Sequence, residues 1–291
     1  MLLAVNINNT QTKLGLYADD AGEDARPLYL WRLATDRART ADEWWVALAT
    51  LLASANIAPA QVTTVAIASV VPPVTGIWQG VCERYLHYTP LLADGSVPYG
   101  VRVLIDRPEE AGSDRVMNTL AAFRRYGGPA LVIDFGTATA FDCVSAEGDY
   151  LGSAIAPGLV VSFEALTGRA AQLSSVALHA PARAIGTGTV TALQSGVVLG
   201  HVAMVEGMAR RLIAEMRGSP STTLFKQGSR SEPVVHLEVG LHPIRVIATG
   251  GLASVIAPNT SLFDAVDDDL TLYGIYCFAR LNADENGHEH G

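Results

Sequence analysis

The sequence predicts an α/β fold with two similar halves, and the first observation that predicts it is an internal repeat. Residues 5–10 (VNINNT) and 133–138 (IDFGTA) both run from an apolar strand to a polar residue, an apolar residue, a turn-former and then hydroxyl or amide side chains. A second strand and a polar turn follow each copy. This repeat indicates two α/β halves that face each other, with a cleft between two phosphate-handling turns. Chance similarity of two hairpins is the alternative.

The second observation is the succession of strand and helix patterns in the first half. Residues 2–9 and 13–19 predict a hairpin, and residues 26–36 predict a third strand. Thr40 and Glu43 have the capping-box spacing that begins a helix over residues 40–56. The next expected elements, in chain order, are a strand over 62–71, a helix over 74–86, a strand over 100–106 and a helix that ends at Gly127 and Gly128.

The third observation is that the same order restarts after residue 128. Residues 129–158 predict three strands joined by polar turns. The remaining expected elements are a helix and loop over 159–173, a long helical stretch interrupted by Gly over 187–216, a Ser/Gly/Pro-rich loop over 217–233, a strand with a Gly-Gly turn and a helix start over 244–257, and a closing helix over 267–282. We therefore predict two domains, 1–114 and 115–291.

The composition excludes several classes of protein. The chain has 291 residues, of which 49% are hydrophobic and 17% are charged, and its net charge is −9. Nucleic-acid binding is not expected, because it requires a basic surface and no Lys/Arg-rich run occurs. The three cysteines are scattered, so they predict neither a disulfide framework nor a CxxC metal site. No apolar run reaches membrane-spanning length, and we expect a cytoplasmic protein with no membrane partner.

The strongest local signal for chemistry is the stretch DFGTAT, which runs from Asp134 to Thr139. A carboxylate at the end of a strand can hold a hydrated Mg²⁺ ion. Gly136 lets the backbone approach a phosphate closely, and the hydroxyl groups of Thr137 and Thr139 can donate to phosphate oxygens. An ordinary hairpin turn has the same pattern, so the spacing leaves both interpretations open.

Two further stretches combine a helix start with residues that can bind ligands. In residues 248–253 (ATGGLA), the paired glycines let a flat ring or a phosphate lie against the backbone, with a helix N-terminus behind it. A plain turn explains this stretch equally well. In residues 108–115 (PEEAGSDR), Asp114 begins a helix, where an acid also stabilises the helix dipole. An adjacent Asp and Arg can equally be a base beside an anion binder, although the local pattern favours capping.

Taken together in this order, the motifs AGSDR, DFGTATAFD, AIAPGL, GTGTVTALQSGVVLG and VIATGGLA resemble the type III pantothenate kinase family. The resemblance covers residues 2 to about 281. It implies the duplicated ribonuclease-H-like fold of the actin-like ATPase superfamily, with mixed sheets flanked by helices. It also implies ATP-dependent phosphorylation of pantothenate to 4′-phosphopantothenate, the first step of coenzyme A biosynthesis. The same resemblance implies Mg²⁺, a monovalent cation (K⁺ or NH₄⁺) and a homodimer with the pantothenate pocket at the subunit interface.

The resemblance also assigns roles to individual residues. Asp114 matches the family's proposed general base, which takes the proton from the pantothenate hydroxyl group. The substrate-binding matches are Gly112, Arg115, which faces the pantothenate carboxylate, and Thr189, which reaches pantothenate across the dimer. The matches to the ATP site are Asn6, Asn9, Thr10, Lys13, Gly136, Thr137, Thr139, Gly250 and Gly251. The expected metal ligands are Asp134 for Mg²⁺ and Asp142 for the monovalent cation.

The sequence departs from the family pattern at the first turn, which reads NINNT where the family has DxGNT. Asn6 keeps an acceptor oxygen but lacks the charge of the usual Asp, and a unit charge pair at contact distance is worth roughly 4 kcal/mol. We therefore expect a rate lowered on the order of 10²–10³. Asn8 tolerates the turn conformation, but its side chain can crowd the phosphates. Two smaller departures are Ala140, where the family often has Thr, and Ser113, which replaces Ala and is expected to be neutral.

Three other interpretations stay open on the sequence alone. One is a homologue that has lost catalysis and binds nucleotide or pantothenate in a regulatory or accessory role. Another is a related kinase for a different small alcohol, which the nearly intact pantothenate-side motif disfavours. The third is an engineered Asn6 in place of a native carboxylate, which the neighbouring Asn8 disfavours. The loop over residues 218–243 is longer than is usual in the family, and the sequence assigns it no role.

Overall fold

The computed structural model describes residues 1–168, 176–218 and 243–286, and the contacts within the chain divide it into two compact units. The first unit consists of Met1–Arg125 and Asp269–Gly291, and the second of Tyr126–Asp268. This division by contacts differs from the domains 1–114 and 115–291 that the sequence repeat predicts. As the boundary between two duplicated domains, the division after residue 114 stays a prediction.

The first unit contains a mixed sheet of five strands. They are β1 (Leu2–Ile7), β2 (Gln11–Tyr17), β3 (Tyr29–Ala34), β4 (Thr64–Ser69) and β5 (Leu91–Leu92), in the spatial order β3-β2-β1-β4-β5. Strands β1, β2 and β3 pair antiparallel, whereas β4 runs parallel to both β1 and β5. The register across β1 pairs Asn6 with Lys13 and Ile7 with Ser69.

The second unit repeats this sheet strand for strand. Its strands are β6 (Ala130–Phe135), β7 (Ala138–Val144), β8 (Tyr150–Pro157), β9 (Arg245–Thr249) and β10 (Ala265–Val266), in the order β10-β9-β6-β7-β8. The parallel and antiparallel pairings are those of the first sheet. Asn6 and Asp134 are each the second-to-last residue of equivalent strands, β1 and β6. The prediction of a duplicated ribonuclease-H-like fold is therefore confirmed.

Helices follow the strands in both units. They are α1 (Ala41–Ser54), α2 (Pro72–Val81), α3 (Ser113–Tyr126), α4 (Leu159–Thr167), α5 (Thr189–Gln194), α6 (Gly200–Met216), α7 (Ala253–Ile256) and α8 (Leu270–Asn286). The predicted capping box begins α1, since the Glu43 N–H donates to Thr40 Oγ1 at 3.3 Å and the Thr40 N–H donates to the Glu43 carboxylate at 2.7 Å. Helix α8 packs on β1, β2 and β4, which explains why it belongs to the first unit.

Each sheet has its own hydrophobic core. In the first unit, Trp44 of α1 and Trp78 of α2 lie fully buried with their ring centroids 5.4 Å apart. In the second unit, Phe135 of β6 and Phe141 of β7 pack against α6. Full burial of a side chain such as Phe contributes about 1.5–3 kcal/mol. The cores therefore fix the sheets, and the sheets fix the turns at the ends of their strands.

The structure differs from the sequence prediction over residues 100–106 and at strand β5. Residues 100–106, predicted as a strand, form only a single bridge at Val103. Their alternation of partly buried and exposed side chains is the pattern of a strand, but within the described residues the pairing does not extend beyond this one bridge. Strand β5, only two residues long, was missed because so short a segment shows no alternation. Part of the predicted helix and loop over 159–173, from residue 169 on, lies outside the described residues, and so does the predicted loop over 218–243, apart from residues 218 and 243.

Candidate active site

The turn of the second hairpin joins β6 to β7 and holds the residues expected to bind phosphate. Asp134 is half-buried, whereas Gly136 and Thr137 are exposed. The Gly136 N–H donates to the Ala138 carbonyl at 3.0 Å, so this N–H closes the turn. The Gly158 N–H, after β8, donates to the Thr137 carbonyl at 3.1 Å and holds the turn from the other side. The backbone is therefore fixed, and it presents one carboxylate and one exposed hydroxyl group.

The glycine turn after β9 lies directly against the end of β6. Gly250 has a φ of +92°, and a Cβ atom there would clash with the Asp134 carboxylate and lie 2.6 Å from the Phe135 nitrogen. The Leu252 N–H donates to the Phe135 carbonyl at 3.2 Å, which fastens this turn to β6. Gly251 is exposed, and an added Cβ would meet nothing within 4 Å. The two motifs that the sequence analysis separated by more than a hundred residues therefore lie together in the second unit.

Thr139 has a buried partner that the sequence analysis did not find. The side chain is 1% exposed, and its Oγ1 lies 3.0 Å from Nε2 of His201 on α6. Burial lowers the pKa of His201, which favours the neutral imidazole. The His201 ring also packs 6.3 Å from the Phe135 ring. Since Thr139 and His201 are 62 residues apart, no local sequence pattern reports this contact, and a phosphate-binding role for Thr139 stays a prediction.

An open cavity lies beside His201 in the second unit. Its volume is about 560 Å³, and it is lined by the end of β8, by α4 and by the segment from α5 to α6. Most of its lining is apolar, with Pro157, Leu166, Val197 and Met204 among the contributing side chains. The cavity therefore offers few groups that could position a charged ligand.

The first hairpin places Asn6 in the interior of the first unit. Asn6 is 1% exposed, and within the described residues neither its amide nitrogen nor its oxygen has a hydrogen-bond partner. Lys13 lies opposite it in the register of β1 and β2. Asn9 and Thr10 are exposed at the turn, where the Arg37 guanidinium donates to Asn9 Oδ1 at 2.9 Å. Since an unpaired buried polar group costs about 1–3 kcal/mol, the Asn6 amide fits a site completed by a ligand.

Asp114 is the second residue of α3, and Gly112 and Arg115 lie beside it. Asp114 Oδ1 accepts the Arg115 N–H at 2.9 Å. A Cβ atom on Gly112 would lie 2.7 Å from Asp114 Oδ1, so any larger residue at position 112 would displace this carboxylate from its present position. Burial raises the pKa of Asp114, and the Arg115 charge acts in the opposite direction. A carboxylate whose pKa is raised toward the working pH is suited to act as a general base.

The two remaining predicted site residues, Thr189 and Asp142, differ in their exposure to solvent. Thr189 is exposed at the first residue of α5, and it is Thr191 that accepts the Gly188 N–H at 3.2 Å and caps the helix. Asp142 is fully buried in the middle of β7, where the Tyr150 hydroxyl donates to it at 3.5 Å. The proposed roles of Thr189 at a dimer interface and of Asp142 at a monovalent-cation site both stay predictions.

The residues of the second unit fit a nucleotide and a hydrated metal ion. A Cβ atom on Gly251 would meet nothing within 4 Å, so the exposed backbone there has open space against which a ring or phosphate could lie. Mg²⁺ commonly keeps several water ligands and uses one or two carboxylates together with substrate phosphates. The single carboxylate of Asp134 is sufficient for that arrangement. Among residues 1–168, 176–218 and 243–286, no group of three or more His, Cys, Asp or Glu side chains could hold a metal ion without such phosphates.

Two ribonuclease-H-like sheets of the same strand order, each with a polar turn after its first strand, define the fold class of this protein. It is the actin-like ATPase fold. A solved structure of similar fold is a Campylobacter jejuni protein assigned to the Baf family of transcriptional activators. It is 15% identical, with a TM-score of 0.53 over 97% of this chain and 99% of that chain. At this identity the likeness concerns the fold alone. None of the described helices is long and apolar enough to cross a membrane.

The sequence comparisons identify the family. The model of the type III pantothenate kinase family matches residues 2–211. A type III pantothenate kinase of Thermomicrobium roseum is 45% identical over 94% of this chain and 95% of that protein. Those of Roseiflexus castenholzii and Acidobacterium capsulatum are 41% and 39% identical, over 97% and 100% of this chain and 99% and 100% of theirs. The chain belongs to the type III pantothenate kinase family, which confirms the resemblance read from its motifs.

Proposed function

We propose that this chain transfers the γ-phosphoryl group of ATP to pantothenate and forms 4′-phosphopantothenate, the first step of coenzyme A biosynthesis. The observation that carries the proposal is the position of Asp114 at the start of α3, in a family whose named members are pantothenate kinases. Pantothenate is a carboxylic acid with a primary hydroxyl group. A base beside a cation can bind the hydroxyl group and the carboxylate of such a substrate. The relatives favour a kinase over a degenerate accessory protein.

Asp114 and Arg115 have complementary roles in this proposal. The Asp114 carboxylate, which burial makes more basic, accepts the proton of the pantothenate hydroxyl group as its oxygen attacks phosphorus. The Arg115 guanidinium binds the pantothenate carboxylate. Gly112 leaves the space that the Asp114 side chain occupies. Phosphoryl transfer depends mainly on positioning and charge, so the rigid start of α3 contributes directly to the rate.

The residues that we propose for ATP binding lie in two turns of the second unit and, separately, in the first hairpin. Asp134 would hold a hydrated Mg²⁺ ion, Thr137 would donate to a phosphate, and Gly250 and Gly251 would let the adenosine lie against the backbone. Asn6, Asn9, Thr10 and Lys13 contribute to phosphate binding. When bound, MgATP supplies the phosphoryl group and Mg²⁺ neutralises part of its charge, leaving ADP as the second product.

A homodimer is the oligomeric state that we propose. Exposed apolar side chains occur together in one part of the second unit's sequence: Ile155, Val160, Val161, Leu166, Ile185 and Val190. Apolar surface of this kind commonly marks a protein–protein interface. Thr189 is exposed next to Val190 and would reach the partner's pantothenate there.

We also propose activation by K⁺ or NH₄⁺ with Asp142 as a ligand, which is tested by omitting the cation from the assay.

Asn6→Asp is expected to raise kcat by on the order of 10²-fold, because it restores a carboxylate on the metal side of the first turn. The same variant is expected to melt at a lower temperature than the natural chain in buffer, because it places a charge at a buried position where, within the described residues, the side chain has no hydrogen-bond partner. MgATP is expected to reverse this loss. The measurements are initial rates of 4′-phosphopantothenate formation and thermal unfolding with and without MgATP.

Asn8→Asp is the matched control for this variant, since it adds the same charge two residues away. Asn8 is less buried than Asn6 and lies after the end of β1. We expect no gain in kcat from Asn8→Asp. An equal gain from both variants would show that added negative charge, and not its position at Asn6, changes the rate.

The pH dependence of kcat/KM follows from the pKa of Asp114. The base must be ionised, so the rate falls as the pH drops through this pKa, which burial places above that of an ordinary aspartate. Because the Arg115 charge lowers the pKa of Asp114, Arg115→Gln is expected to move the acid limb to higher pH. The measurement is kcat/KM against pH for both proteins. An acid limb that stays in place or moves to lower pH in Arg115→Gln contradicts the assignment of Asp114 as the base.

A further inference from the structure

Ser113, the first residue of α3, makes two hydrogen bonds to the backbone of a single residue on another element. The Ser69 N–H donates to Ser113 Oγ at 2.8 Å, and the Ser113 hydroxyl donates to the Ser69 carbonyl at 3.0 Å. Ser113 is 7% exposed, and Ser69 is the last residue of β4. The two residues are 44 positions apart, so the start of the helix is fastened to the end of the strand by one side chain.

The other side of this contact is itself well fixed. Ser69 pairs with Ile7 in the parallel register of β1 and β4, and the Val70 N–H donates to the Ile7 carbonyl at 3.1 Å. The Ser69 hydroxyl accepts the Val71 N–H at 3.0 Å and the Thr75 hydroxyl at 2.7 Å. The end of β4 therefore belongs to the rigid centre of the first sheet. A side chain that is hydrogen-bonded to the Ser69 backbone is therefore held in place relative to this sheet.

The neighbour of Ser113 is the carboxylate that needs positioning. Asp114 is the next residue on the same helical turn, and Gly112, which precedes the helix, has no side chain that could cap it. Asp114 bonds the Arg115 N–H within its own helix, so this bond orients the carboxylate relative to α3 and not relative to the sheet. The two hydrogen bonds of Ser113 to the Ser69 backbone fix the start of α3, and with it Asp114, relative to the sheet.

We propose that Ser113 is a positioning residue for phosphoryl transfer, which holds the Asp114 carboxylate at a fixed place relative to the first sheet. This inference rests on the proposed function. A carboxylate displaced by about 1 Å can cost on the order of 10²-fold in rate, because the proton acceptor and the attacking oxygen no longer align. Ser113 therefore affects catalysis without touching the substrate. The sequence predicts that Ser113 in place of Ala is neutral, whereas this inference gives the Ser113 side chain a role in catalysis.

The test is Ser113→Ala, with Thr75→Val as the matched control. Ser113→Ala removes both bonds to the Ser69 backbone, and we expect kcat to fall by roughly 10- to 100-fold with the KM for ATP unchanged. Thr75→Val also removes a hydroxyl group that makes two hydrogen bonds nearby, to Ser69 Oγ and to the Val71 carbonyl, but none to Ser113. Its kcat is expected to stay within about twofold of the natural chain, since only stability is affected.

Ser113→Cys keeps the side-chain volume but provides only a weak hydrogen-bonding group, so it serves if the alanine variant does not fold. We expect the same loss of kcat from it. A kcat in Ser113→Ala or Ser113→Cys equal to that of the natural chain overturns the inference and leaves the kinase intact. An equal loss of kcat in Thr75→Val also overturns it, because the effect is then general destabilisation. Absence of pantothenate-dependent turnover in the natural chain overturns the proposed function itself.

Discussion

Asp114→Asn is expected to form 4′-phosphopantothenate about 10²- to 10⁴-fold more slowly than the natural chain, since the amide cannot accept the proton of the pantothenate hydroxyl group. The substitution keeps the size of the side chain and an oxygen that can accept the Arg115 N–H. The loss should therefore appear in kcat, with little change in the affinity for pantothenate. The measurements are steady-state kinetics and calorimetric titration with pantothenate.

Glu110→Gln is the matched control, because it removes a carboxylate four residues earlier in the same segment. Glu110 is exposed and pairs with Arg107 at 2.7 Å on the surface, where an ion pair contributes little. Its kcat is expected to equal that of the natural chain. If Glu110→Gln loses as much activity as Asp114→Asn, or if Asp114→Asn keeps its full kcat, Asp114 is not the base.

Gly250→Ala is expected to have the second large effect, on both stability and ATP binding. At a φ of +92° an alanine is strained, and its Cβ would clash with the Asp134 carboxylate and crowd the Phe135 nitrogen at 2.6 Å. Backbone strain of about 1–3 kcal/mol corresponds to a melting temperature lowered by roughly 2–12 °C. Displacement of Asp134 is expected to raise the KM for ATP about tenfold or more.

The neighbouring glycine provides the control for this variant. Gly251→Ala adds the same methyl group one residue later, where nothing lies within 4 Å of the new Cβ. Its melting temperature is expected to stay within about 2 °C of the natural chain. Thermal unfolding and the KM for ATP are measured for both variants. Equal effects at the two positions would contradict the account of Gly250 as the residue that leaves room for Asp134.

Features encoded by neighbouring residues were predictable from the sequence. The capping box of Thr40 and Glu43 and the equivalence of Asn6 with Asp134 both depend on spacings within a few residues of each other or on a direct repeat. The identical order of the two sheets follows from that repeat. The motifs around Asp134 and Gly250 were found separately, and the parallel pairing of β6 with β9 brings them together.

Features that depend on contacts between distant segments were not predictable. The bonds from Ser113 to Ser69 and from Thr139 to His201 join positions 44 and 62 residues apart, and a serine or histidine in an apolar context gives no signal of its partner. Residues 100–106 have the alternation of a strand but pair only through a single bridge at Val103 within the described part of the chain. In these cases tertiary packing, and not local pattern, decides the conformation and the role.

The measurement that tests the central claim most directly is product analysis of the purified chain with MgATP, K⁺ and pantothenate. Mass spectrometry and ³¹P NMR identify the phosphorylated product, and ADP is quantified in the same samples. We expect one 4′-phosphopantothenate for each ADP, and no ADP above background when pantothenate is omitted. ADP formed without phosphopantothenate, or phosphate transferred only to a different alcohol, would contradict the assignment of this chain as a pantothenate kinase.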